Sequence, residues 1–282
     1  MKILVTGAKG QLGYDLCKQL KARKIDFIGI DIADCDLTQP EQVEQVFMRY
    51  LPNTVIHCAA YTAVDKAEDE ADICRRVNVD ATANVANACK KYHAAMMYIS
   101  TDYVFAGKGE KAFEVYEPYA PQNAYGKTKA EGEMIVRDLL ERYFIVRISW
   151  VFGINGNNFV KTMRRLGAQR ESLNVVSDQV GSPTYTYDLS KLLVDIVLSQ
   201  KYGIYHATNE GYCSWAEFAE AVMQLSNLKC KICPVATTEY VTAASRPLNS
   251  RLSKTSLDTA GFTRLPSWKD ALARFINEMN AQ

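Results

Sequence analysis

The chain has 282 residues, 48% of them hydrophobic, and a formal net charge of +1. That length accommodates one large α/β domain, or one domain with a smaller lobe. Charges of both signs are interspersed, so there is no electrostatic footprint for nucleic acid or a membrane surface, and no apolar stretch is long enough to span a bilayer. The apolar run after Met1 ends at Gly7, too short for a signal-peptide core. Most of the eight cysteines lie in apolar-periodic stretches, so a cytoplasmic chain with free thiols is expected. Cys230 and Cys233 form a Cys-x-x-Cys spacing without a second ligand pair, and core packing near a strand is the reading.

In chain order, Lys2 to Thr6 reads as a strand, Gly7 to Gly13 as a glycine turn, the following stretch through Leu20 as a helix, and Asp26 to Asp31 as a second strand. This is a βαβ unit, which needs a parallel sheet. A helix is expected over Gln39 to Leu51, with Thr38 as N-cap and Pro40 in its first turn. Thr54 to Ala60 reads as a strand, Val64 to Tyr92 as helix with a break near Val77, and Ala94 to Ser100 as a buried strand. Asp102 to Gln122, with Gly107, Gly109, Pro118 and Pro121, reads as a long loop of the kind that carries function. A helix with Tyr125 and the strand Phe144 to Ser149 follow.

Beyond Trp150 the pattern loosens. Strands are expected at Leu173 to Val176, Gly203 to Ala207 and Lys229 to Val235, and a helix at Tyr187 to Leu198. Ser214-x-x-Glu217 is a capping box, and Ser267-x-x-Asp270 opens the last helix similarly. The fold class is α/β, a Rossmann-type doubly wound parallel sheet with a smaller C-terminal lobe. Residues 1–152 form the dinucleotide-binding domain, segments near 172–208 return to it, and 153–171 and 209–282 form the substrate lobe.

The motifs point to dinucleotide chemistry. Gly7, Gly10 and Gly13 stand between a strand and a helix, where they allow a tight turn and close approach of a pyrophosphate to the helix N-terminus. Asp31, ending the second strand, is placed to bond a ribose 2′-hydroxyl, which favours NADH over NADPH; Lys9 in the glycine turn tempers that preference. Asp36 and Leu37 are placed to bracket the adenine, with a plain turn carboxylate as the other reading of Asp36. Ala59, Ala60 and Tyr61 end the third strand, where small residues admit either a cofactor ribose or tight packing. Tyr125 and Lys129 share a helix face at i and i+4, so the ammonium can favour the phenolate and poise a proton donor. Thr101, at the end of an apolar strand, can donate to the same carbonyl. No zinc-hydrolase, nucleophile-elbow or Walker motif is present, and His57, His93 and His206 read as structural.

With glycine motif, Asp31, Thr101 and Tyr125/Lys129 in this order, the chain resembles the extended short-chain dehydrogenase/reductase family. It is most similar to members that reduce keto sugars linked to dTDP. That likeness rests on Ala59 to Glu68, Ser100 to Phe105, Tyr125 to Lys129, Arg147 to Trp150, Gly156 to Phe159 and Ser245 to Ser250. The resemblance implies hydride transfer from NADH, or NADPH, to C4 of a 6-deoxy-4-keto-hexose. Tyr125 would give the proton, Lys129 would hold the nicotinamide ribose, and Thr101 would polarise the carbonyl. Asp102 and Trp150 would contact the sugar, and Arg246 and Asn249 the diphosphate; a surface ion pair is the other reading of Arg246. Backbone around Gln11, Leu12 and Ile99 would complete the cofactor site. Some relatives join a homodimer through Mg²⁺ held by carboxylates. Here Asp15 supplies an acid at one matching position, but Tyr187 stands where another is expected, so no metal ligand is assigned. The rival readings are a non-catalytic nucleotide-binding regulatory subunit, an epimerase, and a dehydratase. The last would have a glutamate where Tyr103 follows Asp102.

Overall fold

The computed structural model describes residues 1–281. Strand β1 (Lys2–Thr6) leads through helix α1 (Gln11–Ala22) to β2 (Asp26–Ile30), then α2 (Pro40–Tyr50) and β3 (Thr54–His57). Two short helices, α3 (Lys66–Asp69) and α4 (Ala71–Arg75), precede a π-helical turn at Arg76–Asp80 and α5 (Ala81–Lys91). Then come β4 (Ala95–Thr101), α6 (Ala124–Leu139) and β5 (Tyr143–Ile148). A sixth strand, Gly203–His206, pairs with β5.

The sheet order is Gly203–His206, β5, β4, β3, β1, β2, with every pairing parallel. Helices cover both faces, so the central strands read as continuous apolar runs. Ile3, Val5, Ile56, Met97 and Val146 pack on one face, against α1 and the helix Thr186–Ser199. Leu4, Val55, Met96, Tyr98 and Ile145 pack on the other. The chain reverses direction across the sheet between β1 and β3, which opens a crevice at their carboxyl ends.

The smaller lobe has its own core of Phe152, Phe218, Trp268 and Phe275. Of the segment near 172–208, the helix Thr186–Ser199 and the strand Gly203–His206 return to the large sheet. The strand Ser172–Val176 does not: it pairs with Lys231–Val235 in the lobe, since β5 already has Gly203–His206 as its outer neighbour. Thr38 does not cap α2; its hydroxyl turns back to Asp36 at 2.8 Å, and Gln39 takes the cap position with Pro40 at the helix start. The break expected near Val77 is the π-helical turn. Ser214 and Glu217 form the expected capping box. Cys230 is buried beside the strand that holds Cys233, and both thiols are free. No helix among the described residues is long and apolar enough to cross a membrane.

Candidate functional site

The crevice between β1 and β3 holds a cavity of about 500 Å³ lined by Gly7, Lys9, Gly10, Asp31, Asp36, Leu37 and the Ala59–Tyr61 stretch, among others. Its floor needs glycine. Gly7 has φ +64°, and a Cβ there would lie 2.8 Å from the Ala59 amide nitrogen. A Cβ on Gly13 would lie 2.1 Å from the Gly7 carbonyl oxygen, so the helix seats directly on its turn. Gly10 caps α1 without a side chain. The first amides of the helix, at Gln11, Leu12 and Gly13, therefore point out with the positive end of the dipole. This arrangement suits a pyrophosphate. The Leu12 side chain packs in the core and offers only its backbone.

Asp31 accepts from the amides of Lys9, at 2.8 Å, and Ile32, at 2.9 Å. Its carboxylate thus fastens the glycine turn to the end of β2 and lines the cavity. Asp36 binds Thr38 through Oδ1, which holds its carboxyl below the usual range. Tyr61 is fixed at both ends. Its amide donates to Asn78 at 2.8 Å, and its hydroxyl donates to Glu70. Asn78, 1% exposed in the π-helical turn, also donates to Thr128 of α6 at 3.1 Å. It thereby ties the cavity wall to the helix that carries Tyr125.

The second half of the site lies where β4 and β5 end. Thr101 pairs in register with Ile148, which brings it close to Trp150 two residues on. The Thr101 hydroxyl donates to Asp102 Oδ1 at 3.0 Å and sits beside the Tyr125 phenol. α6 starts where it does because Asn123 caps it, accepting from the Gly126 amide at 2.7 Å, while Glu68 accepts from the Ala124 amide at 2.8 Å. The Tyr103 ring meets the Tyr125 ring edge-on, with centroids 5.5 Å apart.

Burial raises the Tyr125 pKa above its ordinary value; Thr101 opposes that rise, while Asp102, Tyr103 and Cys74 add to it. Desolvation dominates and keeps the proton on the phenol. The Lys129 ammonium donates to the Ile99 carbonyl at 2.7 Å and lies 4.0 Å from the centre of the Tyr98 ring. Burial pushes its pKa down to about 7, opposed first by Glu133. Ile99 therefore contributes an anchor for Lys129, and its side chain belongs to the core, not the cavity wall.

Asp102 is 2% exposed, and burial lifts its carboxyl to about 6. The Ser250 hydroxyl lies beside this carboxyl and, with Thr101, opposes the rise. Trp150 takes a left-handed backbone, φ +49°, a conformation that costs about 1–2 kcal/mol for a residue with a side chain. It stacks on Trp215 at 3.7 Å between ring centroids. Arg246 pairs with Asp65 at 2.5 Å and stands beside Tyr103, so the ion-pair reading describes this state. Asn249 is 1% exposed, donates to the Lys111 carbonyl at 2.7 Å, and accepts from the Arg251 guanidinium at 2.9 Å. Its hydrogen bonds go to stapling the 105–122 loop to the lobe.

Sequence reasoning missed Asn78, Trp215, Tyr103 as a ring partner, and the Glu133–Arg147 pair. Only Glu133 left a trace: it lies one further i+4 step along the Tyr125–Lys129 face. Asp15 is buried and accepts from Thr186. Among the described residues there is no group of three or more His, Cys, Asp or Glu that could hold a metal.

A glycine turn of the kind that suits phosphate, on a switch-point crevice and beside a Tyr-x-x-x-Lys helix, defines a Rossmann-type oxidoreductase. Within that class the chain belongs to the RmlD substrate binding domain family, whose model matches residues 1–281. It is 40% identical to the spore coat polysaccharide biosynthesis protein SpsK of Bacillus subtilis, over 99% of this chain and 98% of that protein. Solved structures of dTDP-4-dehydrorhamnose reductase superpose closely. The Clostridium acetobutylicum protein has a TM-score of 0.97 at 41% identity, covering 99% of this chain and 100% of that one. The Bacillus anthracis protein, solved in complex with NADP, has a TM-score of 0.96 at 44% identity, covering 98% and 99%.

Proposed function

We propose that this chain reduces the C4 keto group of dTDP-4-dehydro-L-rhamnose to give dTDP-L-rhamnose, using a nicotinamide cofactor. One observation carries the reading: a proton-bearing Tyr125 lies beside the Thr101 hydroxyl that ends β4, and Lys129, one turn further along α6, is tied to the same strand at Ile99. The curated and solved relatives named dTDP-4-dehydrorhamnose reductase support the substrate class. The cavity residues fit a dinucleotide, because the uncapped α1 amides and the glycine floor leave room for phosphates.

The cofactor, when bound, supplies the hydride. Tyr125 holds the proton that the reduced C4 oxygen takes up, and its raised pKa keeps that proton available at neutral pH. Thr101 donates to the same oxygen once its hydroxyl turns from Asp102. Lys129 orients the ribose edge of the cofactor from its anchor on Ile99. Asp102 presents its carboxyl to a sugar hydroxyl, and the Trp150–Trp215 stack covers a sugar face. Arg246 exchanges Asp65 for the diphosphate, a trade of one charge-assisted pair for another. Asp31 favours NADH, and the NADP complex of the Bacillus anthracis relative keeps NADPH as the second cofactor to assay. The proposed location is the cytoplasm and the proposed assembly a homodimer, with the need for Mg²⁺ left to the assay.

The test is oxidation of NADH or NADPH with the dTDP-4-keto sugar generated in situ, with and without Mg²⁺. Stoichiometric oxidation and dTDP-L-rhamnose as product support the reading. No oxidation with either cofactor favours the regulatory-subunit alternative.

A further inference from the structure

Behind Lys129, away from the cavity, lies a charged pair that the proposed reaction does not itself use. Glu133 is 0% exposed and Arg147 1%. Arg147 grips both carboxylate oxygens, at 2.9 Å through Nε and 2.7 Å through Nη2. Glu133 also accepts from the hydroxyls of Ser100 and, at 2.8 Å, Tyr119. The remaining Arg147 nitrogen donates to the Val115 carbonyl at 3.0 Å and faces His206 at 3.3 Å. The pair thus joins α6, β4, β5, the 105–122 loop and the Gly203–His206 strand. A buried pair is weak evidence for stability, because desolvation offsets most of its Coulomb gain. Its place needs another reason.

We propose that Glu133, clamped by Arg147, is a positioning residue for the reduction: it holds Lys129 in register with β4 and keeps its ammonium charged. The inference rests on the reductase reading given above. The register argument is direct. Tyr125, Lys129 and Glu133 follow at i, i+4 and i+8 on one face of α6. Lys129 is tied to the carbonyl of Ile99, and Glu133 to the hydroxyl of the next residue, Ser100. Two successive turns of α6 are therefore pinned to two successive residues of β4. One residue further along β4 stands Thr101, the hydroxyl facing Tyr125.

The charge argument follows from the surroundings of Lys129. On α6 it faces Tyr125 and Glu133. From β4 it meets the Tyr98 ring and the Ile99 carbonyl. His57 and Cys58 approach from the end of β3, and Cys74 from α4. Burial holds His57 neutral, with a pKa near about 3, and raises the pKa of both thiols, so none of the three carries charge at neutral pH. Arg147, from β5, is spent on Glu133. The Glu133 carboxylate is the one anion acting on Lys129, against a desolvation that pushes it toward neutrality.

The test compares the parent chain with Glu133→Gln and with Glu133→Gln/Arg147→Met. The double variant removes both members of the pair, so that no guanidinium is left without its carboxylate, and so covers the case where the single one fails to fold. The side-chain titration of Lys129 is followed by NMR in the cofactor-free protein, with Lys129→Met for assignment. The pH profile of kcat is measured in parallel. The Lys129 midpoint is expected to fall by about one pH unit or more, and the high-pH limb of kcat to move with it. An unmoved midpoint in a folded variant overturns the proposal and leaves the pair a packing element. An unmoved limb beside a lowered midpoint overturns the part that links Lys129 charge to turnover. If the parent chain itself shows no reductase activity, the functional reading fails, while the NMR midpoint still decides the role of Glu133.

Discussion

Asp102→Asn is expected to make the protein more stable above about pH 6 and to change little below about pH 4. The Asp102 carboxyl is almost fully enclosed, and burial lifts its pKa to about 6 in the folded chain, above the ordinary aspartate value of about 3.9. Below the unfolded value the group is neutral in both states, and folding loses nothing. As pH rises from there, the unfolded chain ionises first, and native stability falls until the folded group ionises too. The loss is about two pKa units, or about 3 kcal/mol, complete by about pH 7. Asparagine is neutral throughout and escapes it. Its Oδ1 can still accept from Thr101, and its amide can donate to the neighbouring Ser250 hydroxyl. Calorimetric melting at a series of pH values reads the difference. A rise in Tm of roughly 5 °C or more is expected at neutral pH, shrinking toward zero in acid. Turnover should fall at the same time, because the amide no longer offers the sugar a carboxylate. A variant equally stable at all pH values, or less stable at neutral pH, would refute the reasoning.

Three further outcomes follow from the geometry. Gly13→Ala forces a Cβ onto the Gly7 carbonyl, so it should destabilise the fold by about 1–3 kcal/mol and weaken cofactor binding, read by melting and by nucleotide fluorescence. Asn249→Ala should cost about 1–3 kcal/mol of stability with little change in KM for the nucleotide sugar, whereas Arg246→Ala should raise that KM with little change in Tm. If Asn249→Ala alters only KM, its staple role is wrong. Asp31→Ser should shift the ratio of kcat/KM values toward NADPH by about tenfold, since a serine neither repels a 2′-phosphate nor bonds a 2′-hydroxyl as strongly; an unchanged ratio places discrimination elsewhere.

The βαβ unit was legible because its signals are local. An apolar strand, a glycine turn and an acid at the end of the next strand lie within the first thirty or so residues, and the structure builds them into one crevice. Tyr125 and Lys129 were legible for the same reason: one helix face fixes their spacing. What the sequence hid depends on contacts far apart in the chain. Ser172–Val176 looked like a strand of the large sheet, and only the competition with Gly203–His206 for the edge of β5 excludes it. The hold of Asn249 on the 105–122 loop likewise joins residues more than a hundred positions apart. The desolvation that dominates the Tyr125 phenol was hidden too, because an i+4 ammonium is visible in sequence whereas burial is not. Trp150 gave no sign of its left-handed backbone, which follows from the Trp215 stack and the close backbone at Gly181.

The measurement that bears most directly on the central claim is the kinetics of Tyr125→Phe with the dTDP-4-keto sugar, alongside cofactor binding by the same variant. Removing the one hydroxyl that holds the transferable proton should lower kcat by about 10²–10⁴-fold while leaving the cofactor Kd nearly unchanged. Full turnover in that variant would contradict the account, and the proton donor would have to be sought elsewhere in the cleft.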